Sequence, residues 1–118
     1  MEGSWFGVGC NIYTHPKVLG LARELKLDVD AAVGKLGRLY AWAAQNGNET
    51  GEISYLPPEE IAAIMRWKKR PQTLLAALEA QGLLERQESG LFIHDWEEYN
   101  GTFLRKKRRD RERKKEGG

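Results

Sequence analysis

Apolar positions recur along this chain with two different periods, and each change of period marks an element. From His15 onward, Val18, Leu19, Leu21, Ala22 and Leu25 fall at three- and four-residue spacing, which predicts a helix over 15–26. Pro16 suits its first turn, where a missing N–H leaves nothing unsatisfied. Asp28 or Asp30 offers the N-cap acceptor of a second helix over 30–46, with Val33, Leu36, Leu39, Tyr40 and Ala43 on one face and Gly47 as its stop. Gly34 and Gly37 each weaken that helix by about 1 kcal/mol relative to alanine. They lie three apart, on one face, so the expectation is close approach of another helix. Glu52 to Leu56 alternates polar and apolar, as a short half-buried strand over 52–56 would. Pro57-Pro58-Glu59-Glu60 opens a third helix over 58–66, its acids well placed against the helix dipole. Pro71 opens a fourth, with Leu74, Leu75 and Leu78 as its stripe and Gly82 as its end. Two further strands, 83–87 and 91–94, flank the tight connection Glu88-Ser89-Gly90 and form a hairpin. A short helical turn over 95–99 sets Trp96 and Tyr99 against the body, and Trp5-Phe6-Gly7-Val8 forms an arm that packs its aromatics there too.

Read in order, residues 30–94 run helix, strand, helix, turn, helix, hairpin. This is the plan of a winged helix-turn-helix, with the hairpin as the wing and the fourth helix in the recognition position. The expected fold class is therefore mainly α with a small antiparallel sheet, carrying an extra N-terminal helix and an aromatic arm. The wing strands are expected to pair with the strand at 52–56 and close a small sheet over the helices. A chain of 118 residues suits one domain, here 1–100, followed by a tail at 101–118. No run of about 18 apolar residues occurs, and the N-terminus has no basic segment followed by an apolar one, so neither a membrane span nor a secretory signal is expected. The single cysteine, Cys10, has no disulfide partner within the chain, which points to a reducing, cytoplasmic setting.

Charge alters this picture more than composition does. Residues 1–100 carry ten basic and fourteen acidic side chains, while 101–118 carry nine basic and three acidic, so a net charge of +2 conceals an acidic body and a basic tail. Such asymmetry suits either a polyanionic partner or a solvated end. Within the body, Arg66, Lys68, Lys69 and Arg70 crowd the turn before the fourth helix. A helix N-terminus already favours anions, so cations there suit a phosphate. Gln72, Thr73 and Ala76 follow, off the leucine stripe. Gln and Thr hydrogen-bond base edges, and Ala approaches a thymine methyl. Arg86 sits on the wing, where a lone cation suits phosphate. Arg105, Lys106, Lys107, Arg108 and Arg109 lead the tail, which lacks an apolar stripe after Leu104 and would add affinity without sequence choice. The partner expected from these residues is double-stranded DNA.

Catalytic chemistry finds little support. His15 reads as a helix-start residue and His94 as a strand end, neither with a neighbour that makes a catalytic pair. Cys10 has no activating base beside it. Glu59-Glu60 and Glu97-Glu98 are adjacent pairs that point to different helix faces. No glycine-rich phosphate loop with its lysine is present. Neither a cofactor nor a metal site is expected, and the chain does not read as an enzyme. Tyr40, Trp42 and Trp96 are rings on which bases could stack, but they lie among apolar neighbours and read as core. Trp67, inside the basic turn, either caps the core or lies against a DNA backbone.

Several short words carry a resemblance. Trp5-Phe6, His15-Pro16-Lys17-Val18, Gly37 to Ala43, Gly51-Glu52-Ile53, Leu78 to Leu83, Ile93 to Tyr99 and the closing arginine-lysine run resemble the N-terminal domain of phage replisome organiser proteins, relatives of DnaD-type replication initiation proteins. The resemblance implies a winged helix that binds replication-origin DNA. It also implies recruitment of the replicative helicase or its loader, through regions outside this chain. Two other readings share the fold: a protein-docking or homo-oligomerisation module using the aromatic arm, and a transcriptional repressor.

Overall fold

The computed structural model describes residues 5–96. The helices are α1 (Pro16–Leu25), α2 (Val29–Gln45), α3 (Pro58–Ile64) and α4 (Pro71–Ala80), followed by β1 (Leu84–Gln87) and β2 (Gly90–Ile93). The chain is thus mainly helical with a small antiparallel sheet, in the winged helix-turn-helix order with an extra N-terminal helix. The tail residues Arg105 to Arg109, and Tyr99 of the expected helical turn, lie outside the described residues.

Each helix starts and stops for a local reason. His15 Nδ1 accepts from the Lys17 N–H at the start of α1, and Asp28 Oδ1 accepts from the Ala31 N–H at 2.7 Å at the start of α2. After each helix a backbone N–H reaches back to a carbonyl five residues earlier: Leu27 to Ala22 O, Asn48 to Ala43 O, Trp67 to Ala62 O and Leu83 to Leu78 O. This is the Schellman arrangement, which needs a left-handed residue just before the closing N–H. Gly47 and Gly82 supply it without strain after α2 and α4, whereas Lys26 and Arg66 occupy the same conformation after α1 and α3.

The leucine stripes of the helices meet in one core. Leu21, Leu36, Leu39, Ile61, Met65, Leu74 and Leu78 are fully buried there, with Ile53 and Leu84 joining from the wing side. An aromatic ladder ties the remaining segments to it. Phe6 from the arm meets Tyr40 edge-on at 6.0 Å, and Tyr40 in turn lies 5.9 Å from Trp96. Trp96 donates its Nε1–H to Asn48 O at 2.6 Å, so the end of the wing is fastened to the loop after α2. Phe6 therefore packs as expected, while Trp5 stays exposed.

Two expectations need correcting. The strand at 52–56 is a single bridge, Glu52 to Phe92, flanked by Ile53 N–H to Leu91 O and Ile93 N–H to Gly51 O, each 2.8 Å. The chain then turns, with Leu56 N–H on Ile53 O, because it must reach Pro58 at the head of α3. The wing sheet accordingly has two strands, paired Leu84 to Ile93 through Gln87 to Gly90. The second correction concerns α2. A side-chain carbon built on Gly34 or Gly37 would meet no atom within 4 Å among the described residues. The expected helix contact is not made there, and the two glycines leave an open strip on the outside of α2.

These glycines make opposite predictions from Gly51. Gly37→Ala gains helix propensity without a clash and should raise stability by up to about 1 kcal/mol. Gly51 has φ +83, and a carbon there would lie 2.7 Å from Trp96 Cβ and 3.2 Å from Ile93 O. Gly51→Ala should lower stability by about 1–3 kcal/mol. Thermal or urea unfolding of the two variants checks the pair, and equal effects would contradict both placements.

Candidate nucleic-acid interface

Backbone chemistry shapes the turn between α3 and α4 before charge enters. Met65 caps α3, and Arg66 follows at φ +59, so that Trp67 N–H reaches Ala62 O at 2.8 Å. This throws the Trp67 ring back onto the core, where it is 8% exposed. Its indole N–H then donates to Arg70 O at 2.9 Å. Arg70 is the residue at which α4 begins, with Pro71 next. Of the two roles open to Trp67, packing is the one observed. It also sets the entry of α4.

With Trp67 turned inward, its neighbours are turned out. Arg66, Lys68, Lys69 and Arg70 are all exposed, and Lys69 Nζ lies 5.9 Å from the centre of the Trp67 ring. Among the described residues, no side chain caps the start of α4, so the first-turn N–H group of Gln72 has no side-chain acceptor. Gln72, Thr73 and Ala76 are exposed beside this open end, while Leu74, Leu75, Ala77 and Leu78 are buried. The sequence-predicted cations and the two candidate base-reading side chains thus share one surface.

Two further cations join them from α2. Lys35 Nζ donates to Arg66 O at 2.8 Å and more loosely to Met65 O at 3.4 Å, bracing the C-terminus of α3. Burial, then the charges of Arg38, Lys68 and Arg66, hold the Lys35 ammonium below its ordinary value. Mutual repulsion of this kind registers how closely the cations stand. Among the described residues, no carboxylate forms an ion pair with Lys35, Arg38, Arg66, Lys68, Lys69 or Arg70. Sequence reasoning passes over Lys35 and Arg38, which look like ordinary solvent-facing positions of an amphipathic helix. Their spacing of three, beside Gly34 and Gly37, is the signal that was available.

The wing behaves differently. Arg86 is exposed, but its guanidinium is held by Glu79 through Nε at 3.0 Å and Nη2 at 3.3 Å. A phosphate at the wing would have to displace that carboxylate. At the base of the wing, His94 has acidic partners that its place in the sequence does not suggest. Its Nδ1 meets Glu85, and its Nε2 lies 3.0 Å from Asp95 Oδ2. Glu85 comes from β1 and reaches His94 because Leu84 and Ile93 are paired in register, which no short-range pattern discloses.

Comparison with protein-family models, with curated proteins and with solved structures returns no match.

Two variants test this account of the surface. Arg66 holds a conformation that costs an L-residue roughly 1–2 kcal/mol and that glycine adopts freely. Arg66→Gly should therefore raise stability, by about 1 kcal/mol, in a denaturant titration. A loss would show that the arginine side chain itself holds the turn. The Glu85–His94 contact makes a prediction at acid pH. The hydrogen bond from His94 is first among the causes that hold the Glu85 carboxyl below its ordinary value of 4.5. A carboxyl lowered by folding stabilises the fold above that value, and the contribution vanishes as pH falls through the lower, folded one. The stability gap between the parent and Glu85→Gln should accordingly be open near neutrality and close below about pH 4.5. A gap that is independent of pH would separate Glu85 from that role.

Proposed function

We propose that this chain is the DNA-binding domain of a phage-type replication initiator and that it grips duplex DNA through the turn before α4. The observation that supports this most is the crowding of Arg66, Lys68, Lys69 and Arg70 in that turn, without acidic partners among the described residues, beside an uncapped helix start. Unpaired, mutually repelling cations raise the free energy of the isolated protein, and a phosphate backbone relieves that repulsion. With α4 in the major groove, Gln72 and Thr73 meet base edges, while the basic turn and the tail at 101–118 hold phosphates. The replication role rests on the resemblance to phage replisome organisers. It assigns origin recognition to this domain, and recruitment of the replicative helicase or its loader to other regions of the initiator. A docking module is a second reading, favoured by Trp5, Val8 and Tyr13, large apolar side chains left exposed on the arm and the turn that follows it.

Replacing Lys68, Lys69 and Arg70 together with alanine should leave the fold intact, since all three are exposed. Duplex affinity should fall, and the slope of log K against log salt should become shallower by about 0.9 for each phosphate that is no longer neutralised. Gln72→Ala should instead flatten sequence preference, removing about 1–3 kcal/mol of discrimination at one base pair while non-specific binding is kept. Salt titrations and site selection on both variants check this. An unchanged slope in the triple variant would remove the turn from the interface and favour docking.

A further inference from the structure

The open side of α2 joins the basic cluster to a pair of aromatic rings. Lys35, Arg38 and Trp42 lie at i, i+3 and i+7, so one stripe of the helix carries two cations and then an indole. The stripe spans roughly 10 Å of helix at 1.5 Å per residue. Beyond it stands Tyr55, from the turn that leads into α3. Its ring centre is 6.3 Å from that of Trp42, with 36° between the planes. Trp42 is half-buried against the core, whereas Tyr55 is 60% exposed. On the opposite flank are Gly34 and Gly37, where no described atom stands within 4 Å of a side-chain position. Glu52, whose charge acts on the Tyr55 phenol, is engaged by the N–H and hydroxyl of Ser54.

A duplex hides the faces of its bases, so exposed rings add nothing to a phosphate-binding surface for duplex DNA. An unpaired strand presents those faces. Proteins that bind single strands without sequence choice combine cations along the backbone with aromatic platforms on which bases stack. Trp42 and Tyr55 provide such a platform. Lys35, Arg38 and Arg66 provide the cations, and the glycine strip leaves room for a backbone to lie close to the helix. We propose that this face of α2 is a second nucleic-acid site that binds a single strand, distinct from the duplex surface at α4. Bases stack on Tyr55 and the exposed part of Trp42, and phosphates run toward Arg38 and Lys35. The two sites meet at Arg66, so a strand leaving a melted duplex held by α4 would pass directly onto α2.

The test uses the whole chain with an oligothymidine of about 15 nucleotides and, separately, a blunt duplex, in the same salt. Tyr55→Ala should weaken oligothymidine binding by about ten-fold, the size of one base stack, with duplex binding unchanged. Tyr55→Phe keeps the ring and should bind like the parent. Arg38→Ala, at an exposed position outside the core, should weaken oligothymidine more than duplex. Parent-like oligothymidine binding by Tyr55→Ala, or an equal loss on both ligands, overturns the proposal. Failure of duplex binding in the Lys68, Lys69 and Arg70 triple variant bears on the α4 surface alone, so the two readings fail separately.

Discussion

The hydrogen bond from Trp67 N–H to Ala62 O is the constraint on which the basic surface depends. It ends α3, and it requires a left-handed residue at 66, which is an arginine. It folds a tryptophan inward, and the indole N–H of that tryptophan locates Arg70 O at the head of α4. Everything cationic in the turn points outward because Trp67 points inward. Lys35 then adds a clamp from α2 onto the same two residues, through Met65 O and Arg66 O. The turn is short, yet it is over-determined, which allows it to hold several like charges in a fixed arrangement.

Local signals carried most of the fold. Proline at the head of three helices, glycine after two of them and leucines at helical spacing are short-range features, and the helices formed where those features stood. What failed depended on longer range. The segment at 52–56 has strand-like alternation, but it must also deliver the chain to Pro58, and the turn at Ile53 to Leu56 overrode the alternation after one bridge. Gly34 and Gly37 suggested a helix contact because a glycine inside a helix usually marks close packing. Here they border an open surface. The cluster of Lys35 and Arg38 with Arg66 and Lys68 exists only because α2 packs against α3, so no window of sequence contains it. His94 is a milder case: Asp95 is its neighbour in sequence, and Glu85 reaches it only through the pairing of β1 with β2.

Several features that weaken this domain lie around α2 and the basic turn, while left-handed Lys26 and Asp95 stand elsewhere. Two glycines inside α2, an arginine in a left-handed conformation and six cations without acidic partners among the described residues all raise the free energy of the folded state. Elsewhere the molecule shows the reverse tendency. There Glu79 neutralises Arg86, Asp28 caps α2, and His94 lies between two acids. Local strain is retained where the surroundings over-determine it, as the hydrogen bonds around Trp67 do at Arg66.

The acidic body bears on how that face works. Residues 1–100 carry a net negative charge, yet many of the positive residues among them gather at α2 and the basic turn. For the proposed polyanion partner, the net negative charge of the body opposes approach, while the cations of this face attract within about a Debye length, roughly 8 Å at physiological salt. Orientation is thereby selected before contact, without a large positive charge on the domain. The tail at 101–118 carries the compensating positive charge on a separate segment. Under the proposed duplex binding, affinity divides between a turn that fixes register and a tail that adds strength, because counterion release scales with the number of phosphates neutralised. In that proposal register and strength change independently, the first through a few residues around Trp67 and the second through the charge of the tail.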